Sequence, residues 1–239
     1  MGSTRLPRKI LREFYKGQTL IEIVIRNLQK VDGTKVIVAT SENPNDDELV
    51  AFLEERNIPV FRGSEKDVLS RFIGAAGANG IDGIVRICSD NPFLDWQGVA
   101  DLIEKTKTSD ADYIGFRINN TPSIKTHFGF WGEFVTLNAL KRVNSTTDDM
   151  MAHEHVTIHI YTHPDEYKCE WIECPTYLQG RNDIRLTVDN EEDFVNAQQV
   201  YSSLCEEKAF FGIEDVIKYI DSHTALQMSM KKMIQNNQK

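Results

Sequence analysis

Cysteine is scarce in this 239-residue chain, and its four copies are poorly placed to bind metal. Cys169 and Cys174 are the nearest pair, and the four residues between them are a loose spacing for a zinc knuckle. Cys88 and Cys205 lie far from both. Reduced thiols are the simpler reading, and they point to a cytoplasmic protein. Long apolar runs are missing too. No stretch approaches bilayer-spanning length and the N-terminus has no signal-peptide apolar core, so no membrane association is expected. Basic residues are outnumbered, 27 Lys and Arg against 36 Asp and Glu, for a formal charge of −9. That balance excludes non-specific nucleic-acid binding, which needs a basic face. No repeat, low-complexity block or clean linker is visible. One domain over 1–239 is therefore expected, with 117–175, where the pattern changes, as an inserted arm. No Ser-His-Asp set or activated Cys is evident, which leaves little basis for nucleophilic catalysis.

What the chain does have is an ordinary apolar share, 41%, and an alternation of strand-like and helix-like stretches. Leu20, Ile23, Val24 and Leu28 recur at helical spacing after Thr19. Lys35–Thr40 reads as a strand, 46–56 as a helix, Ile58–Phe61 as a strand and 67–78 as a helix. A strand from Gly83, a helix over 99–105 and an extended Tyr113–Phe116 follow. The fold class expected is α/β, a mostly parallel sheet with helices on both faces. Further on, 133–143 reads as a helix and 144–151 as a polar loop. Strands are expected at 156–161, 168–174 and 183–189, with helices at 191–204 and over the last thirty residues.

Three features carry chemistry. Gly83–Leu94 is an apolar run that places Asp90 at its end and is closed by Pro92. In open α/β sheets ligands lie beyond the carboxyl ends of strands, where a carboxylate can hold a cation such as Mg²⁺. Alternatively, Asp90 only opens a turn. Ile184, Leu186 and Val188 alternate and end the same way, on Asp189. Arg5, Arg8, Lys9 and Arg12 cluster in an otherwise acidic protein. They form either an anion site, with Gly2 and Ser3 adding donors, or a solvated terminus.

In family order stand Ser3-Thr-Arg-Leu-Pro7, Lys9, Gly63-x3-Asp67-Val-Leu-x-Arg71, Ser89-Asp-Asn-Pro92, Glu154-His-Val-Thr157 and Arg185-Leu-Thr-Val-Asp189. Through them the chain resembles the cytidylyltransferases that activate 3-deoxy-manno-octulosonate (Kdo) and sialic acids. It is most similar to the spore-coat polysaccharide branch, as far as about Leu204. The resemblance implies a nucleotide-diphosphosugar-transferase type of fold, and transfer of CMP from CTP to an acidic sugar with release of pyrophosphate. It implies that Arg5 and Lys9 bind the triphosphate beside Ser3, and that Asp67 and Arg71 lie near the nucleotide. It further implies Mg²⁺ on Asp90 and Asp189, His127, Glu154, His155 and Arg185 toward the sugar, and a homodimer. The residue types agree with that chemistry, since attack on an α-phosphorus needs positioning and charge neutralisation more than covalent help. A glycosyltransferase of the same fold and a non-catalytic nucleotide-binding protein are the alternatives.

Two departures from the family pattern stand out. Family members carry an apolar first strand ending in Ala-Arg ahead of the Ser-Thr-Arg loop, whereas Met1 here falls inside that motif. A start assigned too late is the explanation expected, and a sheet lacking that strand would expose apolar surface on its neighbours. Arg8 stands where the family has Gly, a source of strain if its φ is positive. Other clusters have plainer readings. His153 and His155, on an extended segment, would share a face, but zinc needs a further convergent ligand. Phe128, Phe130 and Trp131 suit a core. Arg181 and Arg185 either meet a sugar carboxylate or, the commoner fate, form surface ion pairs with Asp183 or Glu192. The acids Glu191, Glu192 and Asp193 suit a helix start.

Overall fold

The computed structural model describes residues 6–236. Lys9–Leu11 forms a single 3-10 turn, followed by a hairpin of β1 (Glu13–Tyr15) and β2 (Gln18–Thr19). Its two turn residues, Lys16 and Gly17, both take positive φ, as a two-residue hairpin turn that matches strand twist requires. α1 (Leu20–Leu28) begins with a capping box: Thr19 accepts from the Glu22 N–H, and the Glu22 carboxylate accepts from the Thr19 N–H. Because α1 is apolar nearly all round, it is packed on several sides. Leu20 and Ile23 join the main core, Val24 a second cluster and Ile21 and Ile25 a third.

β3 (Val38–Ser41), α2 (Asp47–Glu54) and β4 (Val60–Gly63) make one parallel strand–helix–strand unit. Next come α3 (Val68–Ala78), β5 (Gly83–Arg86), α4 (Trp96–Thr106), β6 (Tyr113–Ile118), β7 (Thr121–Pro122) and β8 (Glu133–Thr136). α5 (Leu137–Thr146), α6 (Met150–His155), α7 (Ile158–Thr162) and β9 (Cys169–Glu173) follow. α8 (Glu191–Glu207), α9 (Ile213–Ser222) and α10 (Thr224–Asn236) complete the described chain. None of the described helices is long and apolar enough to cross a membrane.

The larger sheet runs β5-β8-β6-β7, with β9 on β6. β8 is antiparallel to both β5 and β6, so those two point the same way, and β9 is parallel to β6. The α/β fold class expected from the sequence is what forms, with β8 and the two-residue β7 running against the rest. Successive β6 residues feed opposite faces: Tyr113 joins α3, α5, α6 and α7, while Ile114 and Phe116 join α4, α8 and α9. Residues 117–175 do not stand apart from the sheet, since β8 and β9 are built into it.

Several local expectations are corrected. Residues 158–162 are helical despite their β-branched and aromatic content, with Ile160 as the buried residue of α7. His153 and His155 lie on helix α6 rather than an extended segment, so they do not share a face. The stretch 133–143 starts as strand β8 before turning helical. The loop expected at 144–151 is shorter, since α5 runs to Thr146 and α6 begins at Met150. β5 ends at Arg86, four residues short of Asp90. Residues 183–188 are buried but form no ladder among the described residues. Their N–H groups go instead to single carbonyls, Leu186 to His127 and Val188 to Asp90. Arg8 does carry a positive φ of 59°, the strain expected where the family has Gly, and it forms an ion pair with Glu48.

A buried ionic network fixes β5 against β8. The Glu133 carboxylate, 2% exposed, accepts from Arg86 Nη1 at 2.7 Å, the Tyr113 hydroxyl at 2.7 Å and the Thr157 hydroxyl at 3.1 Å. Burial first, and then this carboxylate, push the Tyr113 hydroxyl well above its ordinary value. Breaking such a pair from one side strands a buried charge. Glu133→Gln should therefore lower stability by about 3–5 kcal/mol in urea unfolding, whereas the double variant Arg86→Met/Glu133→Met should recover most of that loss. A Glu133→Gln midpoint within error of the parent would show that the network is dispensable.

Candidate active site

The candidate residues gather at the carboxyl ends of the strands, where the chain leaves the sheet. The Lys9 ammonium donates to Asp90 Oδ2 at 2.8 Å and to the Val188 carbonyl at 2.6 Å. The Val188 N–H in turn donates to the Asp90 carbonyl at 3.1 Å. These bonds seat Asp189 beside Asp90, although 98 positions separate them in sequence. Both carboxylates remain partly open to solvent, 24% for Asp90 and 18% for Asp189.

Arg185 holds this arrangement from behind. Its side chain is 1% exposed, and its fork is fully engaged. Nε and Nη2 donate to the two Asp193 oxygens at 2.6 and 2.7 Å, and Nη2 also reaches Asp189 Oδ2 at 2.8 Å. Nη1 lies 2.7 Å from His127 Nδ1. A guanidinium can only donate, so His127 Nδ1 is the acceptor and the ring proton belongs on Nε2. The sequence suggested that Arg185 meets a sugar; the fold places it inside, as the part that orients His127 and Asp189. Asp193 was expected only to open a helix, and it is the second anchor of this fork. The signal in the sequence was a charged residue inside the apolar alternation of Ile184, Leu186 and Val188.

Two buried polar atoms beside the site have no hydrogen-bond partner among the described residues, Asn91 Oδ1 and Thr187 Oγ1. Both residues face Gly129, whose φ is +66°. A Cβ there would lie 2.9 Å from Asn91 Oδ1 and 3.2 Å from Thr187 Cγ2, so the position excludes a side chain on two grounds.

A second cluster lies beyond β4. Asp67 caps α3 by accepting from the Ser70 N–H at 2.8 Å, and it is 2.9 Å from His153 Nδ1. The other ring nitrogen of His153 is 2.9 Å from the Thr147 carbonyl. Carboxylate and carbonyl both accept, so this imidazole carries two protons. The Thr147 carbonyl, then Asp67, raise its pKa against a smaller effect of burial. Burial would raise Asp67, but the Ser70 N–H and His153 hold it below the ordinary value. Arg71 donates to the Ser64 carbonyl, and its Nε is buried without a partner among the described residues. At the end of β3, Asp46 is buried and accepts from the Thr40 and Ser41 hydroxyls, both at 2.6 Å. Burial opposes its ionisation, whereas these bonds and the Ser41 N–H favour it and act to lower its pKa. Nothing in the sequence singled Asp46 out.

Glu154 and His155 are exposed at the end of α6, next to Val156, whose φ is +59°. Arg181 takes its commoner fate, pairing with Asp183 and Asp221. The expected Ser3 and Arg5 lie outside the described residues. No cysteine is activated among those with a resolved shift: burial pushes the Cys169 thiol up to about 11 and Cys174 to about 12. No set of three or more His, Cys, Asp or Glu side chains converges on a metal position among the described residues. Asp90 and Asp189 still suit Mg²⁺, a hard ion that takes one or two carboxylates and completes its shell with water and phosphate oxygens.

In open α/β sheets ligands bind beyond the carboxyl ends of the strands, the region where Lys9 meets Asp90. Comparison with known proteins goes further. The profile of the cytidylyltransferase family matches residues 1–226. The spore coat polysaccharide biosynthesis protein SpsF of Bacillus subtilis is 34% identical over 213 residues, covering 86% of this chain and 85% of that protein. A cytidylyltransferase structure from Leptospira borgpetersenii superposes with a TM-score of 0.81 at 24% identity, over 95% of this chain and 92% of that one. A CMP:2-keto-3-deoxy-manno-octonic acid synthetase complexed with CTP shares the fold, with a TM-score of 0.61 at 13% identity, over 87% and 95%. The chain belongs to the cytidylyltransferase family and is a nucleotidyltransferase.

Two predictions follow from this geometry. His153 should titrate above the ordinary histidine value of about 6.5. Its link to Asp67 is complete below that value and is lost as pH rises through the raised one. At the acid end the link weakens as pH falls through the lowered Asp67 value. Following the imidazole by NMR, Asp67→Asn should bring the midpoint down; an unmoved midpoint would dismiss the pair. Arg185→Lys keeps the charge but loses the fork. It should cost about 3–5 kcal/mol of stability by urea denaturation, and an unshifted midpoint would contradict the role given to Arg185.

Proposed function

We propose that this chain transfers CMP from CTP to an acidic sugar of the Kdo or sialic-acid kind, releasing pyrophosphate, in surface-polysaccharide biosynthesis. The observation that carries it is the joining of Lys9, Asp90 and Asp189 by the Lys9 bridge to Asp90 and Val188. The SpsF relative and the CTP-bound fold neighbour support the nucleotide and the sugar class.

In the reaction a sugar hydroxyl oxygen forms a bond to the α-phosphorus. The bond from that phosphorus to the bridging oxygen breaks, pyrophosphate leaves, and the hydroxyl proton is lost to solvent. Lys9 supplies a positive charge for the leaving phosphates at the mouth of the site. Asp90 and Asp189 would hold Mg²⁺, which when bound neutralises phosphate charge and lowers the pKa of a nearby hydroxyl. Arg185 keeps Asp189 and the His127 ring in place, leaving the His127 Nε2–H as a donor. Asp67 and Arg71 border the nucleotide, and His127, Glu154 and His155 lie toward the sugar. A cytoplasmic homodimer joined through 117–175 completes the reading.

The test is pyrophosphate release from each of the four nucleoside triphosphates, with Mg²⁺ and a panel of sugar acids. CTP alone should respond, and only with an acidic sugar. EDTA should abolish release, and Asp90→Asn or Asp189→Asn should each lower kcat by roughly 100-fold or more. Metal-independent turnover, or full activity in both variants, would end this reading.

A further inference from the structure

Nothing in Ala152-His-Glu-His-Val-Thr-Ile-His159 stops a helix, since the stretch has neither Gly nor Pro. α6 nevertheless ends at His155 and α7 begins at Ile158, and Val156 carries the break. Its φ of 59° and ψ of −59° are those of the rarer kind of γ-turn. The Thr157 N–H closes that turn on the His155 carbonyl at 2.6 Å. For a β-branched residue such a backbone is strained, and it persists only where the surroundings over-determine it.

Three contacts hold the turn. Val156 is fully buried, in the cluster that contains Leu69, Tyr113, Val135 and Val143. Its N–H donates to the Ala152 carbonyl at 3.1 Å. Thr157 supplies the third contact. It stands at the N-cap of α7, where a Thr hydroxyl ordinarily accepts from a helix N–H, yet it makes no such cap bond. Its hydroxyl instead lies 3.1 Å from each oxygen of the Glu133 carboxylate. A hydrogen bond to a buried anion is stronger than the neutral cap bond given up. Glu133 is fixed in turn by Arg86 and Tyr113.

The break decides what the two preceding residues face. In an unbroken helix Glu154 would lie over Ile158 and His155 over His159. Both are instead exposed, and neither side chain has a hydrogen bond or ion pair among the described residues. Their backbone is held on both sides, because His153 is bonded to Asp67 and to the Thr147 carbonyl. The far end of the brace reaches the candidate site: Glu133 pairs with Arg86, the last residue of β5, four positions before Asp90.

A strained turn, a hydroxyl diverted from its cap and a buried anion thus serve two polar side chains that bind nothing within the fold. We infer that Glu133 is a positioning residue for the sugar side of the site. Through Thr157 it holds the Val156 turn, and the turn presents Glu154 and His155 to the hydroxyls and carboxylate of the sugar. At 1% exposure Glu133 itself touches no substrate. The inference rests on the function proposed above, and its test separates the two.

Thr157→Val removes the hydroxyl at nearly equal size, whereas Thr157→Ser keeps it. The test combines crystal structures with steady-state kinetics for the parent and both variants. Thr157→Val should let Val156 relax to negative φ. It should also raise KM for the sugar acid by roughly tenfold or more while KM for CTP stays within about twofold. Thr157→Ser should keep the positive φ and bring the sugar KM back close to the parent's. A lowered urea midpoint for Thr157→Val with an unmoved sugar KM would reduce the contact to a structural one and overturn the inference. Equal rises in both KM values, or a Ser variant as impaired as the Val variant, would overturn it too. If the parent releases no pyrophosphate with any sugar acid, the proposed function is what fails. The crystal structures then decide the anchor alone, and a positive φ retained in Thr157→Val overturns it.

Discussion

The buried fork of Arg185 is the interaction on which the site depends. A guanidinium with almost no exposure is tolerable only if its donors are met, and here they are met by Asp193, Asp189 and His127 together. Asp193 is held in turn by the start of α8, where Asn190 caps the helix and accepts its N–H. One helix start, one extended segment and the His127 loop thus share a single charge centre. None of the three is in a ladder with another among the described residues, so this centre and a few backbone bonds set their relative positions.

The same device recurs across the sheet. Glu133 is a buried anion met by Arg86, Tyr113 and Thr157, and it ties β5, β6, β8 and the turn after α6. Both centres lie toward the carboxyl ends of the parallel strands, where the candidate residues collect. Buried charges are a poor source of net stability compared with apolar packing. Their distribution here instead supports register. Each charge accepts one arrangement of neighbours: Asp189 and His127 in one case, and in the other Thr157, which follows Val156 with its φ of +59°.

Elements with strong local periodicity or capping were legible in the sequence. The helix behind Thr19, the helices over 46–56 and 67–78, and the strands around 38 and 113 form close to where the pattern places them. Asp90 was singled out because it follows an apolar run, Asp189 because it ends an apolar alternation, and Lys9 because it is basic in an acidic chain; the fold brings Lys9 to Asp90. Where the sequence misled, two signals competed. Val156–Tyr161 is rich in β-branched and aromatic residues, yet the positive φ of Val156 ends α6 and Ile158 begins a new helix that buries Ile160. Residues 184–188 alternate like a strand and are buried like one, but the backbone there bonds to isolated carbonyls of two loops. Asp46 and Asp193 were silent because an acid near a helix start looks alike whether it faces water or holds a buried partner.

The sequence by itself determined the α/β class, most elements of the first half and the family, since these rest on hydrophobic period and on motifs local in the chain. Only the tertiary structure brought the backbone next to Asp189 against Asp90. Asp90 and Asp189 become neighbours through Lys9 and Val188, contacts that span up to 179 positions. It also decided that Arg185 faces inward, because the direction of a long flexible cation is set by where its acceptors lie.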